Sequence, residues 1–140
     1  MKNKKLRKAF GNTAIKNNGH DAVIRYEATR HPGWSVKTVE KDGVDLVAYD
    51  YKNQKPIRYI EVKSTGKKNF EWREFESAQH KAMLRRNHYV YFVRKAGKPG
   101  QQIKEVKGSK MKRYFHRQVV KYLYAFPMKS GFHKKGWASI

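Results

Sequence analysis

Hydrophobic and polar residues alternate along three consecutive segments in the first half of the chain. The segments are Trp34–Glu40, Val44–Tyr49 and Ile57–Lys63, and they are rich in β-branched and aromatic residues. An alternation with a period of two predicts β-strands. The connections at 41–43 and 50–56 are short and polar. Because short turns join sequential strands side by side, we expect an antiparallel meander.

Helical spacing is found on both sides of this meander. The apolar residues of His20–Arg30 fall on one side of a helix that His31-Pro32-Gly33 would end, and Asn17–Gly19 predicts a break before it. A second helix is predicted over Arg73–Asn87.

The second half of the chain predicts two more strands and a basic helix. His88–Val93 is a continuous apolar run, which is typical of a strand covered on both faces, and Gln101–Val106 is a weaker strand. Lys110–Tyr124 is predicted to be a third, strongly basic helix. A helix between the third and fourth strands allows a parallel crossover. The predicted fold is therefore α/β, with a mixed central β-sheet of about five strands flanked by helices.

The length of 140 residues favours one domain with one modest core. We expect a basic N-terminal arm over residues 1–17, an α/β core over 18–106, and a basic C-terminal helix and tail over 107–140.

The charge of the chain indicates a polyanionic partner. Lysine and arginine total 33 against 11 acidic residues, which gives a formal net charge of +22. Such an excess predicts nucleic-acid binding with a strong dependence on salt. Composition alone fits ribosomal or chromatin-like binding without chemistry equally well.

Other features of the composition exclude several classes of protein. The chain has no cysteine, which excludes disulfides and cysteine-zinc sites. No apolar run approaches the roughly 20 residues that span a bilayer. Met1–Lys8 is basic but lacks the apolar stretch of a signal peptide. We therefore expect no membrane partner and a cytoplasmic location in association with nucleic acid.

Two acidic residues stand out because each lies inside an apolar strand. These are Asp45 and Glu61, and Lys63 shares a strand face with Glu61. Carboxylates are rare in such strands unless a cation or a metal ion accompanies them. If residue 49 pairs with residue 57 across the turn, residue 45 stands opposite residue 61.

These three residues predict a catalytic metal site. Asp45 and Glu61 would bind Mg²⁺ or Mn²⁺, and Lys63 would position the attacking water. The alternative is an amphipathic strand whose outward face carries a glutamate and a lysine without any role in chemistry.

Several basic and aromatic residues are candidates for contacts with nucleic acid. Lysine and arginine hold phosphates, whereas an exposed tryptophan can stack on unpaired bases. Trp72 is the aromatic candidate, with a place in the core as the alternative. The basic candidates are Lys67, Lys68, Arg85, Arg86, Lys112, Arg113 and Arg117.

The arrangement of these motifs resembles the restriction-endonuclease-like nuclease superfamily. That superfamily carries an Asp on one strand and a Glu-x-Lys on the next, as at Gly43-Val44-Asp45 and Tyr59–Thr65 here. Together with Tyr89–Val93, these segments are most similar to the C-terminal domain family of the plant protein NO VEIN. The resemblance implies a phosphodiesterase that depends on a divalent metal, with DNA favoured over RNA. Many such nucleases cut duplexes as dimers, which makes a homodimer a further expectation.

One position departs from the pattern of these nucleases. Related enzymes usually carry a Glu early in the first helix, where this chain has His20 and Asp21. Either residue is a candidate for the site, as is Glu27 further along the helix. The alternative for Glu27 is a buried carboxylate bonded to the backbone or paired with an arginine. A non-catalytic nucleic-acid-binding module on a nuclease-like fold therefore stands beside the nuclease as a second prediction.

Overall fold

The computed structural model describes residues 2–118 and 122–139, with side chains from residue 11 onward except that of residue 117. Two 3₁₀ helices cover Gly108–Tyr114 and Met128–Ser130. The helices and strands are α1 (Lys2–Arg30), β1 (Trp34–Lys41), β2 (Val44–Asp50), β3 (Pro56–Ser64), β4 (Trp72–Phe75), α2 (Ser77–Met83), β5 (His88–Arg94), β6 (Gln102–Lys107), β7 (Phe115–Gln118), β8 (Tyr122–Ala125) and β9 (Ala138–Ser139).

A six-stranded mixed sheet forms the centre of the molecule, which confirms the predicted α/β class. Its strand order is β1-β2-β3-β5-β6-β9. β3 and β5 run parallel, and the other neighbouring pairs are antiparallel. The crossover from β3 to β5 contains α2, as a parallel connection requires.

The predicted meander of the first three strands is confirmed, and so is most of its register. Tyr49 pairs with Pro56 instead of with residue 57, because an irregularity interrupts the ladder after Ala48. Before that point, the paired residues are Leu46 with Ile60, Val47 with Tyr59, and Ala48 with Arg58. This is the register that brings residue 45 beside residue 61.

The sheet is covered on both faces. Ala22 and Val23 of α1 pack against Leu46, Ile60 and Val62 on one face. On the other face, α2 and the segments after β6 enclose a second core that is rich in aromatic residues. Its largest fully buried members are Tyr124, Phe70, Phe75, Phe92 and Phe132.

The predicted helix break at Asn17–Gly19 is wrong, because α1 runs without interruption from Lys2 to Arg30. Gly19 lies so close to β3 that a Cβ added to it would stand 1.7 Å from Ser64 Oγ. This glycine therefore serves a close approach between helix and strand and not a turn.

The predicted helix over Arg73–Asn87 is shorter in the structure. Its first residues form β4, and α2 begins only at Ser77. Glu76 and Gln79 form a capping box, which fixes the start of α2 after the strand.

The predicted helix over Lys110–Tyr124 is wrong. A 3₁₀ helix over Gly108–Tyr114 is followed by β7 and β8, which form a separate three-stranded antiparallel sheet in the order β4-β8-β7. The aromatic residues of this segment pack well on a pleated surface, and their burial decides against a helix. Within the described residues, no helix is long and apolar enough to cross a membrane.

Candidate active site

A cleft of about 690 Å³ opens at the end of the sheet where β2 begins and β3 ends. Asp45, Glu61 and Lys63 all line it. Its rim is strongly basic, with Lys16 from α1, Lys67 and Arg73 around β4, and Lys98 from the loop before β6. The structure thus brings the three predicted site residues to one cavity.

The strand pairing explains why these residues meet. The register that joins Leu46 to Ile60 places Asp45 beside the end of β3. Asp45 Oδ2 accepts a hydrogen bond of 2.8 Å from the backbone amide of Val62. This bond fixes one carboxylate while the neighbouring residue, Glu61, projects into the cleft.

Glu61 carries an almost fully buried carboxylate, and one of its two oxygens has polar partners. Only 2% of the residue is exposed. Oε1 accepts a 2.9 Å hydrogen bond from Gln79 Nε2 and lies 3.4 Å from Lys63 Nζ. Oε2 is buried and has no hydrogen-bond partner among the described residues. Burial, and then the negative charge of Asp45, raises the pKa of Glu61 to about 8, although Lys63 opposes the shift.

Lys63 is held in place by β4. Its Nζ donates to the backbone carbonyl of Glu74 at 3.2 Å and lies 4.6 Å from the centre of the Phe75 ring. With Glu61 as its third neighbour, the ammonium group lies beside the Glu61 carboxylate.

His20 also belongs to this end of the sheet. It is 7% exposed, and its Nε2 lies 3.6 Å from Asp45 Oδ2 with no hydrogen-bond partner among the described residues. Its neighbour Asp21 is exposed and lines a different cavity, together with Arg25 and Gly97. Of the candidates His20 and Asp21, His20 is the one that lies beside Asp45.

Glu27 lies outside the cleft. It is fully buried and accepts a 2.7 Å hydrogen bond from the Tyr91 hydroxyl. His31 Nε2 lies 3.8 Å from its second oxygen. Arg58 donates to the same Tyr91 hydroxyl and to Glu105. Glu27 is therefore part of a buried polar network that joins α1 to the sheet.

The basic residues predicted to bind nucleic acid are spread over several surfaces. Lys67 lines the cleft, and Lys68 is exposed beside it. Trp72 is 49% exposed on β4. Four more candidates are exposed but do not line the cleft: Arg85 and Arg86 in the turn after α2, and Lys112 and Arg113 in the first 3₁₀ helix. The side chain of Arg117 lies outside the described residues.

Four residues that line the cleft were not among the predicted site residues: Lys16, Arg73, Gln79 and Lys98. Lys16 and Lys98 come from segments that are distant in sequence, and no local pattern marks them. Gln79 closes a capping box whose N-cap is Glu76 in place of the usual Ser or Thr, so the usual sequence signature of a capping box does not mark it. Arg73 donates to the backbone carbonyl of Ser64, which ties β4 to the cleft.

The side chains fit a hard divalent cation held by two carboxylates. Over residues 11–116, 118 and 122–139, no group of three or more His, Asp or Glu side chains is placed so that it could hold a metal ion. Asp45 and Glu61 nevertheless bring carboxylate oxygens to the cleft, and the buried Oε2 of Glu61 has no hydrogen-bond partner among the residues that the structure describes. Carboxylate oxygens are the ligands that Mg²⁺ takes in open sites that keep several waters.

Comparison with known proteins gives one match. The family model described as Protein NO VEIN, C-terminal, matches residues 16–106. The curated proteins and the solved structures give no match. The matched segment contains about half of α1, the cleft except for Asn12 and Ile15, and the sheet from β1 through most of β6. Since the match covers more than half of the chain, the protein belongs to the family Protein NO VEIN, C-terminal.

Proposed function

We propose that the protein is a metal-dependent nuclease that hydrolyses phosphodiester bonds in nucleic acid, with DNA favoured over RNA. The observation that carries the proposal is the convergence of Asp45, Glu61 and Lys63 in one basic cleft, where a buried carboxylate oxygen of Glu61 has no hydrogen-bond partner in the part of the chain that the structure describes. The topology around them supports a restriction-endonuclease-like core. We place this activity in the cytoplasm, and a homodimer stays a prediction.

Asp45 and Glu61 are the residues that would hold Mg²⁺ or Mn²⁺. The cation would polarise a phosphoryl oxygen and lower the pKa of a bound water. The carboxylate of Asp45 is oriented by the Val62 amide, and that of Glu61 by Gln79. Lys63 donates hydrogen bonds only, so its role is to hold the oxygen of the attacking water.

The rim of the cleft accounts for substrate binding. Lys16, Lys67, Arg73 and Lys98 surround the carboxylates with positive charge. Lysine and arginine side chains hold phosphates without reading sequence. The rim therefore supports binding to a nucleic-acid backbone and gives no base specificity.

The test is a cleavage assay with single-stranded, duplex, branched and RNA substrates in Mg²⁺ and in Mn²⁺. We expect Glu61→Gln and Lys63→Ala each to lower the cleavage rate by about 100-fold or more, because each removes a group that acts on the reacting atoms. Binding in the absence of divalent metal should change by less than about threefold, since the rim is intact.

Lys55→Ala is the matched control, because Lys55 is an exposed lysine at the turn between β2 and β3. It should cut as the wild type does. A purified protein that binds all of these substrates and cuts none of them with either metal would refute the enzyme.

One observation favours the non-catalytic module instead. His20 faces Asp45 at the part of the first helix where related nucleases carry a Glu. Calorimetric titration with Mn²⁺ separates the two candidates, with Glu61→Gln as the control. Micromolar to millimolar binding that Glu61→Gln abolishes supports the nuclease, whereas binding unchanged by this substitution supports the module.

A further inference from the structure

The outer face of the small sheet carries an aromatic pair that the cleft does not use. Along β4, Phe75 points into the core and Arg73 is half-buried, whereas Trp72 is 49% exposed. The Trp72 ring meets the exposed His116 ring of β7 edge to face, with 4.7 Å between ring centres. The pair holds the indole in place while leaving much of it open to solvent.

A groove of about 400 Å³ lies beside Trp72. Met128, which is 57% exposed, forms part of its apolar lining. Asn69 offers an amide and Glu71 a carboxylate. A nucleobase has an aromatic face and an edge of donors and acceptors, so this combination of side chains suits one.

The groove and the cleft share one loop. Gly66 and Lys67 line the cleft, whereas Asn69 to Trp72 line the groove. The next residue, Arg73, returns to the cleft. A strand that leaves the cleft along this loop therefore reaches Trp72 within a few residues of protein chain.

The charge around the groove indicates a polyanionic occupant. Lys67 and Lys68 are exposed on the connecting loop, and Lys129 is exposed next to Met128. With a net charge of +22 on the chain, an acidic polymer is attracted to this surface and a basic or neutral peptide is not.

We propose that the groove beside Trp72 binds an unpaired nucleobase of the substrate and directs the cleft to single-stranded or flapped nucleic acid. This inference rests on the proposed function for its connection to cleavage. In a duplex, the faces of the bases are covered by their neighbours, so the indole gains a stacking partner only where a base is unpaired. Stacking of a base on an aromatic side chain contributes roughly 1–3 kcal/mol and tolerates any sequence.

The experiment measures fluorescence anisotropy of labelled single-stranded DNA, single-stranded RNA and duplex DNA in EDTA, at one salt concentration. We expect Trp72→Ala to weaken binding to the single strands by about tenfold, the equivalent of one stacked base. Binding to the duplex should change less than about twofold, because phosphate contacts remain. The two single strands show whether the site takes DNA, RNA or both.

Tyr51→Ala is the matched control, because Tyr51 is an exposed aromatic residue, 70% accessible, at the turn after β2. It should leave all three affinities unchanged. Trp72→Phe keeps an aromatic face and should retain most of the single-strand affinity. If Trp72→Ala does not fold, Met128→Ala provides the same comparison with an expected loss of about threefold.

An equal loss on single strands and duplex, or no loss on single strands, would overturn the inference. Because no metal is present, the result does not depend on cleavage. If the protein cuts DNA but Trp72→Ala does not weaken single-strand binding more than duplex binding, only the proposed role of the groove is refuted. A protein that shows the preference but never cuts refutes the nuclease alone.

Discussion

Glu61 occupies a position where an ionised carboxylate is costly. It is 2% exposed and lies next to Asp45, and its two oxygens have unequal surroundings. Gln79 and Lys63 satisfy Oε1, whereas Oε2 has no partner among the described residues. A buried carboxylate oxygen without a hydrogen-bond partner lowers the stability of the fold, and an apolar residue would be more stable at this position. The same oxygen is well suited to bind a cation.

Replacing Gln79 by Ala should lower both stability and cleavage. Gln79 donates to Glu61 and also closes the capping box of α2. We expect a loss of about 1–2 kcal/mol in the free energy of unfolding and a fall of about tenfold in cleavage rate. Denaturant titration and the cleavage assay measure the two effects.

Glu76→Ala is the control that separates them, because it weakens the same capping box without touching Glu61. It should lower stability and leave cleavage as it is. If both variants slow cleavage equally, the contact between Gln79 and Glu61 does not matter for activity.

His88 should make the protein sensitive to acid. It is 1% exposed, and burial, followed by the positive charge of Arg85, lowers the pKa of its imidazole to about 4 against an ordinary value of 6.5. Between pH 4 and pH 6.5, His88 is therefore protonated in the unfolded chain and neutral in the folded protein. The contribution of neutral His88 to the free energy of unfolding is therefore fully present above about pH 6.5. It is lost as the pH falls toward 4, which lowers the free energy of unfolding by up to about 3 kcal/mol.

The measurement is the free energy of unfolding at pH 7.5 and at pH 4.5, for the wild type and for His88→Gln. The difference between the two pH values should shrink in His88→Gln, whereas replacing the exposed His116 by Gln should leave it unchanged. An identical pH dependence in all three proteins would show that His88 does not titrate in this way.

The sequence predicts some of these residues well and others not at all. A period of two places Glu61 and Lys63 on one face whatever the fold, and the turn length nearly determines that Asp45 lies beside them. The contact of Gln79 with Glu61 depends on how α2 packs on the sheet, which no local pattern contains. One oxygen of the buried Glu27 carboxylate accepts a hydrogen bond from the hydroxyl of Tyr91, which is distant in sequence.

At the scale of elements, the approach of α1 to β3 shapes one wall of the cleft. Gly19 is the point of closest approach, because a Cβ there would lie 1.7 Å from Ser64 Oγ and 2.8 Å from Ser64 Cβ. Ser64 ends β3 one residue after Lys63 and lines the cleft itself. The spacing between helix and strand therefore sets the space available beside the carboxylates.

Gly19→Ala should destabilise the protein although alanine is the better helix former. The overlap with Ser64 must be relieved by moving α1 or β3, and we expect a net loss of about 1–3 kcal/mol. Gly11→Ala is the matched control in the same helix, because no described atom lies within 4 Å of a Cβ at that position. It should stabilise the protein by up to about 1 kcal/mol. Thermal and denaturant unfolding measure both.

A second substitution tests the cause. Ser64→Gly removes both close atoms, after which the nearest neighbour of the added Cβ is Val62 Cγ1 at 3.6 Å. Adding Ser64→Gly to Gly19→Ala should then cost less than the sum of the two single changes. Simple additivity would place the strain somewhere else.

The elements that the sequence mispredicted share a physical reason. A glycine in a helical pattern indicated a break at Gly19. The helix continues there, and the lack of a side chain at Gly19 lets α1 pack closely against β3. Lys110–Tyr124 has enough lysine and arginine to suggest a helix, yet its aromatic residues pair with β4 and bury Tyr124 to 2% exposure. Long-range strand pairing overrides local propensity in both directions. The three strands of the meander were predicted because their partners are adjacent in sequence.

At the scale of the whole molecule, the net charge of +22 includes residues at the cleft and residues elsewhere on the surface. Positive charge is concentrated at the mouth of the cleft by Lys16, Lys67, Arg73 and Lys98. The low dielectric constant of a cleft wall strengthens the electrostatic field of such charges. Other lysines, such as Lys52, are exposed in the turn between β2 and β3, at the opposite end of these strands from the cleft. The total charge governs attraction to any polyanion, and the local cluster decides where the polyanion settles.

The salt dependence of binding separates these two contributions. Each phosphate that the protein neutralises adds about 0.9 to the slope of log affinity against log salt concentration on duplex DNA, and about 0.7 on a single strand. If Lys67 contacts a phosphate at the cleft, Lys67→Ala should reduce the slope by nearly that amount, and Lys52→Ala should leave it within error of the wild type. Anisotropy titrations at several salt concentrations in EDTA measure both slopes. An equal reduction by the two substitutions would mean that nucleic acid is bound by net charge alone and that the cleft does not position it.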